Sequence, residues 1–258
     1  MKEAEGHLFA NRYTSFTFWT LLGLSTILIC VVAHQYSRFA GDLEILRWLQ
    51  GIDIPLFQSS MKAIDAMAFR LVAPMAVSLC ALFLWAIRRR TEAFFVALGL
   101  IFYGGGVFIK AAVNRPRPWE LDPGVTLWFL VPGPAFPSGH VMHFVLFYGM
   151  LLYLAPTLVK NRRARLALQV FLGSIILLAA PAVVCGSRHW PSDVLGGYIV
   201  GGFFLAVLIW GYERCKGGRF DRWYEALRLN GRRTLRMQFN GRWPQRMRLN
   251  GRWSLRKR

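Results

Sequence analysis

Acidic residues and cysteines are both scarce in this chain of 258 residues. There are 13 Asp and Glu against 32 Lys and Arg, and only four cysteines. Because no C-x-x-C or clustered His/Cys pattern occurs, the sequence argues against an exported disulfide framework and against a zinc site. The first apolar run exceeds the h-region of a signal peptide and lacks a convincing small-x-small cleavage site. We therefore expect an uncleaved anchor.

Apolar residues dominate the rest of the composition. They make up 55% of the chain, aromatic residues make up 15%, and the mean hydropathy is +0.34. Several apolar runs approach the ~20 residues that cross a bilayer. The sequence thus predicts an all-α polytopic membrane protein, a bundle of about six transmembrane helices within residues 1–215, and excludes a soluble basic domain. The predicted spans are roughly 16–34, 68–87, 93–108, 141–158, 166–185 and 194–210.

Residues 216–258 form a basic tail that we predict to be a separate region. The tail holds 14 Lys and Arg against 2 Asp and Glu, so about +12 of the net charge of +19 lies there. Asn-Gly-Arg recurs every ten residues, at Asn230, Asn240 and Asn250. A small β-meander would suit this repeat, but we favour a flexible tail bound to anionic lipid headgroups through Arg and Trp. Nucleic acid is not expected as a partner, because membrane lipid is the nearer polyanion.

Three polar patches interrupt the apolar chain, and together they predict a phosphoryl-transfer site. They are Lys110 with Arg117, then Pro137 to His140, then His189 with Asp193 four residues later. A transferring phosphoryl group carries negative charge that cations, a hydroxyl donor and a glycine amide can stabilise. Of two histidines, one can attack phosphorus as a neutral nucleophile while the other protonates the leaving oxygen. Asp193 lies within one helical turn of His189, where it could stabilise an imidazolium.

The strings K-A-A-V-N-R-P-R-P (110–118), P-S-G-H (137–140) and S-R-H-W-P-S-D (187–193) resemble the three signatures of the type-2 phosphatidic acid phosphatase (PAP2) superfamily. This resemblance implies metal-independent hydrolysis, without a cofactor, of a phosphomonoester or pyrophosphate on a membrane lipid. It implies that His189 becomes phosphohistidine, that Asp193 is its partner and that His140 is the general acid. It also implies a phosphate-binding set of four residues: Lys110, Arg117, Ser138 and Gly139.

The third motif departs from the pattern of the family. That pattern is S-R-x5-H-x3-D, whereas Arg188 directly precedes His189 here, and Ala182 and Val183 occupy the expected Ser and Arg positions. Either Arg188 replaces the missing cation, or the site lacks it and is weakened. We favour replacement, since a guanidinium is long-reaching and binds phosphate bidentately.

Loop charges predict the orientation in the membrane. Basic clusters at 88–90 and 160–165 and the basic tail fall on one side, which the positive-inside rule makes cytoplasmic. All three motifs fall on the other side. We therefore expect both termini in the cytoplasm, an active site facing the periplasm or exterior, and a location in the inner membrane of a bacterium.

Several alternatives stay open. A phosphotransferase of the same family is one, and a catalytically weakened lipid-binding or scaffold protein is another. Residues 39–67 have the pattern of an interfacial amphipathic helix, either packed on the bundle or acting as a lateral gate. We interpret His143 as a packed polar residue, and Trp119 and Trp190 as interfacial anchors. The sequence does not indicate an oligomeric state.

Overall fold

The computed structural model of the chain describes residues 2–69, 71–130 and 132–216. The tail from residue 217, with its Asn-Gly-Arg repeats, lies outside the described residues. Both interpretations of that tail, and the division of the chain at residue 215, therefore stay predictions.

The described residues form helices joined by loops, and no strand occurs among them. The bounds of the helices are α1 (Lys2–Gln35), α2 (Asp42–Gln50), α3 (Pro55–Met67), α4 (Val72–Ala86), α5 (Arg90–Val113), α6 (Pro118–Leu121), α7 (Gly139–His143), a π-helical turn (Phe144–Tyr148), α8 (Gly149–Leu158), α9 (Arg162–Cys185) and α10 (Pro191–Lys216). The all-α prediction is confirmed.

Five segments among the described residues are long and apolar enough to cross a membrane. They are Phe16–Gln35, Arg90–Leu121, Gly139–Leu158, Arg162–Cys185 and Pro191–Lys216. A sixth span is present if α3 and α4, which meet at a bend of 64°, are counted as one. The predicted third span, 93–108, is longer in the structure, because α5 runs from Arg90 to Val113 and carries Lys110 in its last turn.

Two boundaries differ from the prediction. Residues 39–67 form two helices, α2 and α3, because the backbone is extended at Ile54 directly before Pro55. A residue before proline is biased towards extended conformations, so this break has a local cause. The predicted span 68–87 is also shorter as a helix: α4 starts only at Val72 and runs for 15 residues.

The segment Gly139–Leu158 lies at the centre of the bundle. Of its most apolar 18 residues, 67% are buried inside the protein. In Phe16–Gln35 only 6% are buried, so that helix is available to lipid. Helix α10 packs closely against the start of this central segment. A Cβ at Gly197 would lie 2.9 Å from the backbone oxygen of Ser138, so only glycine permits this approach.

The helix directions bring the three motifs to one end of the bundle. Helix α5 ends near Lys110, α7 starts at Gly139, and α9 ends and α10 begins on either side of His189. Consecutive long helices alternate in direction, so the connections at residues 87–89 and 159–161 belong to the opposite end. This arrangement places the basic clusters 88–90 and 160–165 away from the motifs.

Candidate active site

A cavity of about 960 Å³ opens at this end of the bundle. Six of the eight predicted site residues line it, whereas Ser138 and Asp193 do not. The lining comes from α5, from the break between α3 and α4, and from the loops around the motifs. Its members are Ala68, Phe69, Pro74, Tyr103, Val107, Lys110, Ala111, Asn114, Arg117, Leu130, Pro132, Gly133, Pro134, Gly139, His140, Arg188 and His189.

Lys110 reaches the cavity from the last turn of α5. Its Nζ donates hydrogen bonds to the carbonyl oxygens of Pro134 and Ala135, each at 3.1 Å. An ammonium group has three N–H donors, so at least one remains for a ligand. The loop at residues 134–135 thus fixes this cation at the cavity wall.

Arg117 is held by the same loop and lies buried at the start of α6. Its Nε donates to the Gly133 carbonyl at 2.8 Å and its Nη1 to the Arg188 carbonyl at 2.5 Å. A third, longer hydrogen bond runs from Nη2 to the Pro134 carbonyl at 3.4 Å. With five N–H donors, the guanidinium keeps further donors while its position is set by backbone oxygens.

The P-S-G-H segment forms the start of α7. Ser138 is its N-cap, and its Oγ accepts a hydrogen bond from the Val141 N–H at 3.4 Å. Its own N–H donates to the Asp193 carbonyl at 3.0 Å, which ties the second motif to the third. Ser138 is fully buried, whereas Gly139 and His140 reach the cavity. A helix start with a serine cap directs backbone N–H groups outward.

The two histidines approach each other across the cavity. The ring centroids of His140 and His189 are 5.9 Å apart. His189 Nδ1 lies 3.8 Å from Asp193 Oδ2, close enough for an ion pair but beyond a hydrogen bond. Nδ1 has no hydrogen-bond partner among the described residues. In this structure His189 and Asp193 are therefore close to each other but not hydrogen-bonded.

His189 lies in the loop between α9 and α10 and is almost fully buried. Burial lowers its pKa well below the ordinary value, and the nearby cations Arg117, Lys110 and Arg188 lower the pKa further. The imidazole is therefore neutral at pH 7. A neutral imidazole is the form that can attack phosphorus.

Arg188 enters the cavity from the residue before His189. Its guanidinium lies against an edge-to-face pair of rings, Phe69 and Phe129, with its Cζ 5.1 and 5.0 Å from their centroids. Its Nη1 lies 2.7 Å from His140 Nε2, and its Nη2 lies 3.0 Å from Asp65 Oδ2. We call Arg188, Asp65 and His140 the Arg188 cluster.

Ala182 and Val183, at the positions where the resemblance expects Ser and Arg, lie in the helix core. Both are fully buried and neither lines the cavity. Ala182 packs with Met61 of α3 and Cys185. The cation at this part of the cavity is therefore Arg188, whose guanidinium arrives from the loop and not from α9.

A second buried network supports Asp193 from behind. Arg115 Nη1 donates to Asp193 Oδ1 at 2.6 Å and to Ser192 Oγ at 2.8 Å, and its Nη2 lies 3.2 Å from Asp42 Oδ2. The Trp190 N–H donates to Asp193 Oδ2 at 2.8 Å. We call Asp193, Arg115, Ser192 and Asp42 the Asp193 cluster.

Sequence reasoning missed Arg115, Asp42 and Asp65. Arg115 lies between Lys110 and Arg117, the two cations of the first motif, and only those two were assigned a role. Asp42 lies in an amphipathic stretch, where a charged residue is expected at the surface. Asp65 did carry a signal, because it is the only acidic residue between residues 54 and 91. A charged residue in an apolar region is a functional hypothesis by default.

Helix α2 is connected to the site at both of its ends. At the start, Asp42 accepts hydrogen bonds from the backbone N–H and the Oγ of Ser192 at 2.9 and 2.6 Å. At the end, Gln50 Nε2 donates to the Cys185 carbonyl and to Ser187 Oγ at 2.8 and 2.9 Å. Of the two interpretations of this stretch, these contacts support a helix packed on the bundle.

The interpretation of Trp190 as an interfacial anchor is wrong. Trp190 is fully buried, and its Nε1 donates to the Pro116 carbonyl at 3.1 Å. His143 is buried among aromatic rings, stacked on Phe147 at 5.6 Å, and lies outside the cavity lining. It is the packed polar residue that the sequence predicted.

Comparisons with known proteins agree with this fold and set of motifs. A family model of the PAP2 superfamily matches residues 91–216. A curated lipid A 1-phosphatase from Rhizobium etli is 30% identical over 141 residues, which cover 50% of this chain and 56% of the relative. The chain thus matches little more than half the length of that relative.

Two solved structures share the fold. A transmembrane PAP2-type phosphatidylglycerolphosphate phosphatase from Bacillus subtilis aligns with a TM-score of 0.61 and 20% identity, over 76% of this chain and 96% of its own. LpxE from Aquifex aeolicus aligns with a TM-score of 0.55 and 20% identity, over 66% of this chain and 96% of its own. Residues 91–216, just under half of the chain, thus match the PAP2 superfamily, and the apolar helices identify the chain as an integral membrane protein.

Proposed function

We propose that the protein is a metal-independent phosphatase that hydrolyses a phosphomonoester or pyrophosphate carried by a membrane lipid. The observation that carries this proposal is one cavity whose wall brings together His140, His189 and the cations Lys110, Arg117 and Arg188. Cations can neutralise the charge of a transferring phosphoryl group, and two histidines can supply the nucleophile and the acid. The same positive charge disfavours a bound metal ion.

The first step is attack on the lipid phosphate by the neutral imidazole of His189. Its Nδ1 lies on the Asp193 side, so Nε2 forms the new N–P bond while the bond from phosphorus to the lipid oxygen breaks. The lipid oxygen takes a proton from His140 and leaves. Asp193 stabilises the positive charge that develops on His189. In the second step water attacks phosphorus and gives a proton to His140, the N–P bond to His189 breaks, and inorganic phosphate leaves.

His140 must change its partner before it can act as the acid. An arginine cannot accept a hydrogen bond, so Arg188 Nη1 donates to His140 Nε2, which therefore carries no proton in the free site. We propose that Arg188 turns to the phosphate when substrate binds. This movement frees Nε2 to take a proton from the phosphate monoanion as it binds, and His140 then passes that proton to the leaving oxygen.

Arg188 is the proposed replacement for the cation that the third motif lacks at Val183. Its place on the cavity wall and its buried position beside both histidines support this role. Ser138 would act from just behind the wall, through the hydroxyl proton that its N-cap bond leaves free. Lys110, Arg117 and the Gly139 amide complete the proposed phosphate-binding set.

The substrate is a membrane lipid in this proposal because part of the cavity wall is apolar. Phe69, Pro74, Val107 and Leu130 contribute carbon surface that suits a lipid and not a soluble sugar phosphate. Lipid A with a 1-phosphate and phosphatidylglycerolphosphate are the first substrates to test, since similar proteins carry those names. Phosphatidic acid and isoprenyl pyrophosphates complete the panel.

Orientation and location follow from the loop charges. The clusters 88–90 and 160–165 lie at the end of the bundle opposite to the motifs, so the positive-inside rule makes that end cytoplasmic. We propose a bacterial inner membrane with the cavity open to the periplasm or exterior and both termini inside. We also propose that the tail 216–258 binds anionic headgroups and is dispensable for the chemistry, because no motif residue lies in it.

The test is phosphate release by purified protein from the lipid panel, with and without chelator. Turnover of at least one lipid that persists in chelator is the expected result. Turnover lost in chelator would contradict the metal-independent mechanism. Lipid binding without turnover would favour the scaffold alternative, and phosphate found on an added alcohol would favour a phosphotransferase.

A further inference from the structure

Asp65 of α3 is a buried carboxylate that none of the three motifs includes. It lies outside the segment 91–216 that matches the PAP2 superfamily, and its side chain is fully buried. Its Oδ2 is 3.0 Å from Arg188 Nη2, and its Oδ1 is 4.0 Å from His140 Nε2. It is therefore the carboxylate of the Arg188 cluster.

A carboxylate is needed here because Arg188 is almost fully buried. Isolated charges are costly to bury, and a guanidinium on aromatic rings still lacks a counter-ion. The edge-to-face rings of Phe69 and Phe129 give the guanidinium a cation–π surface, but they do not fix its rotation. The ion pair with Asp65 supplies this second constraint on one edge, while the other edge points to His140.

Several polar atoms of the Arg188 cluster make no hydrogen bond within the described part of the chain. Arg188 Nε and Nη2 and both carboxylate oxygens of Asp65 have no partner with hydrogen-bond geometry among the described residues. The pair at 3.0 Å is thus held mainly by charge. Such a pair fixes the place of the arginine yet leaves N–H donors for a phosphate oxygen.

We propose that Asp65 is a positioning residue that holds Arg188 at the cavity wall, so that an arginine from the loop can act where the third motif has lost its own. The inference rests on the proposed phosphatase function. It explains how a cation displaced by five residues along the chain, from Val183 to Arg188, can still serve the site. Asp65 acts through Arg188 and does not touch the substrate.

A double-mutant cycle tests this proposal with Asp65→Asn, Arg188→Ala and the combination of the two. The readouts are kcat/KM on the lipid that wild type hydrolyses fastest, and the dissociation constant of vanadate measured by calorimetry. We expect Asp65→Asn alone to lower kcat/KM and to weaken vanadate binding, each by roughly tenfold. In the Arg188→Ala background Asp65→Asn should cause no further loss, because the residue it positions is gone.

Two further variants separate positioning from folding. Asp65→Glu keeps the negative charge and should retain more activity than Asp65→Asn. Asp53→Asn removes an exposed carboxylate from the neighbouring loop and should behave as wild type. If Asp65→Asn does not fold, Asp65→Glu with and without Arg188→Ala is the fallback cycle, in which the smaller loss caused by Asp65→Glu should vanish in the Arg188→Ala background.

The outcomes are distinguishable. Equal losses from Asp65→Asn in both backgrounds, wild-type behaviour of Asp65→Asn, or tighter vanadate binding by this variant would each overturn the proposal. Wild-type protein that neither releases phosphate nor binds vanadate would instead overturn the proposed function. If wild type turns over substrate and the losses from Asp65→Asn and Arg188→Ala simply add, the positioning role of Asp65 is contradicted and the proposed function is not.

Discussion

The Asp193 cluster and the Arg188 cluster are built differently. In the Asp193 cluster every buried side-chain donor and acceptor of Asp193, Arg115, Ser192 and Asp42 has a hydrogen-bond partner. In the Arg188 cluster, Asp65 and Arg188 are equally buried but keep atoms without such partners among the described residues. Each cluster pairs a buried arginine with a buried aspartate, but only Arg188 and His140 among their members line the cavity.

This difference suits two different functions of a buried charge: to hold a residue in place, or to let it change partners. A satisfied network is stiff, because moving any member leaves a buried polar group unpaired. Such a network suits Asp193, which has to stay beside His189. A pair held mainly by charge can exchange partners at low cost, which suits an arginine that turns between His140 and a phosphate. Variants in the two clusters should therefore fail in different ways.

The largest effect on chemistry among the cluster variants is expected for His140→Ala. Loss of a general acid costs about 10²–10⁴-fold in rate, so kcat on a lipid phosphomonoester should fall by that factor. The loss should be smallest on aryl phosphates, whose leaving oxygen needs no proton. His143→Ala is the matched control, since His143 lies outside the cavity. Equal losses on lipid and aryl phosphates would contradict the acid role of His140.

Arg115→Ala is expected to damage stability more than any single change in the Arg188 cluster. It leaves Asp193 and Asp42 buried and unpaired, and breaking a buried ion pair in this way costs about 3–5 kcal/mol. Thermal unfolding in detergent should show a clear loss of Tm. A Tm close to that of wild type would show that the Asp193 cluster does not hold the site together.

The Arg188→Ala variant should bind the transition state more weakly than wild type. It should be more stable than the Arg115→Ala variant. Removing a charge-assisted phosphate contact in a water-poor site costs on the order of 3 kcal/mol, or about 10²-fold in kcat/KM. Vanadate should bind much more weakly, because its trigonal-bipyramidal adduct resembles the transition state. Steady-state kinetics and calorimetry measure the two effects.

Val183→Arg sharpens this prediction. Val183 is fully buried outside the cavity lining, so an arginine there should not raise activity while Arg188 is present. Unchanged kinetics in Arg188→Ala together with a gain in Val183→Arg would contradict the replacement and mark the natural protein as a weakened enzyme.

The smallest effect concerns the protonation of His189. Burial and the three cations lower its pKa well below 6.5, so the neutral form should persist at pH 6.5 and the charged form should appear only at lower pH. NMR titration of histidine-labelled protein, with His189→Ala for assignment, measures the midpoint. Arg188→Ala should move the midpoint upward by removing one positive neighbour. A wild-type midpoint at or above 6.5 would contradict this account.

The sequence predicted the fold class and the location of the motifs because both depend on local patterns. Apolar runs define spans, and the motifs at 110–118, 137–140 and 187–193 are short strings. The boundary between the stretch 39–67 and the next span was predicted, but the start of α4 only at Val72 was not, since no glycine or proline separates Met67 from Val72. Helix α3 packs against α9 through Met61 and Ala182. This contact was not predicted, because the two residues are far apart in the sequence.

The supporting charges of the site were not predicted for a related reason. Asp42 and Asp65 are distant in sequence from the residues they contact, Asp42 from Ser192 and Asp65 from Arg188. Only tertiary packing brings them together. Arg188 was predicted, since it immediately precedes His189 and could be weighed against the missing arginine at Val183.

The most direct test of the account is to trap the phosphorylated enzyme. Purified protein is incubated with radiolabelled lipid phosphate in chelator and quenched in acid or in base, and the labelled peptide is mapped. We predict a label on His189 that survives base and is lost in acid, and that is absent from His189→Ala. A label on another residue, or turnover by His189→Ala at the wild-type rate, would contradict the central claim that His189 is the nucleophile.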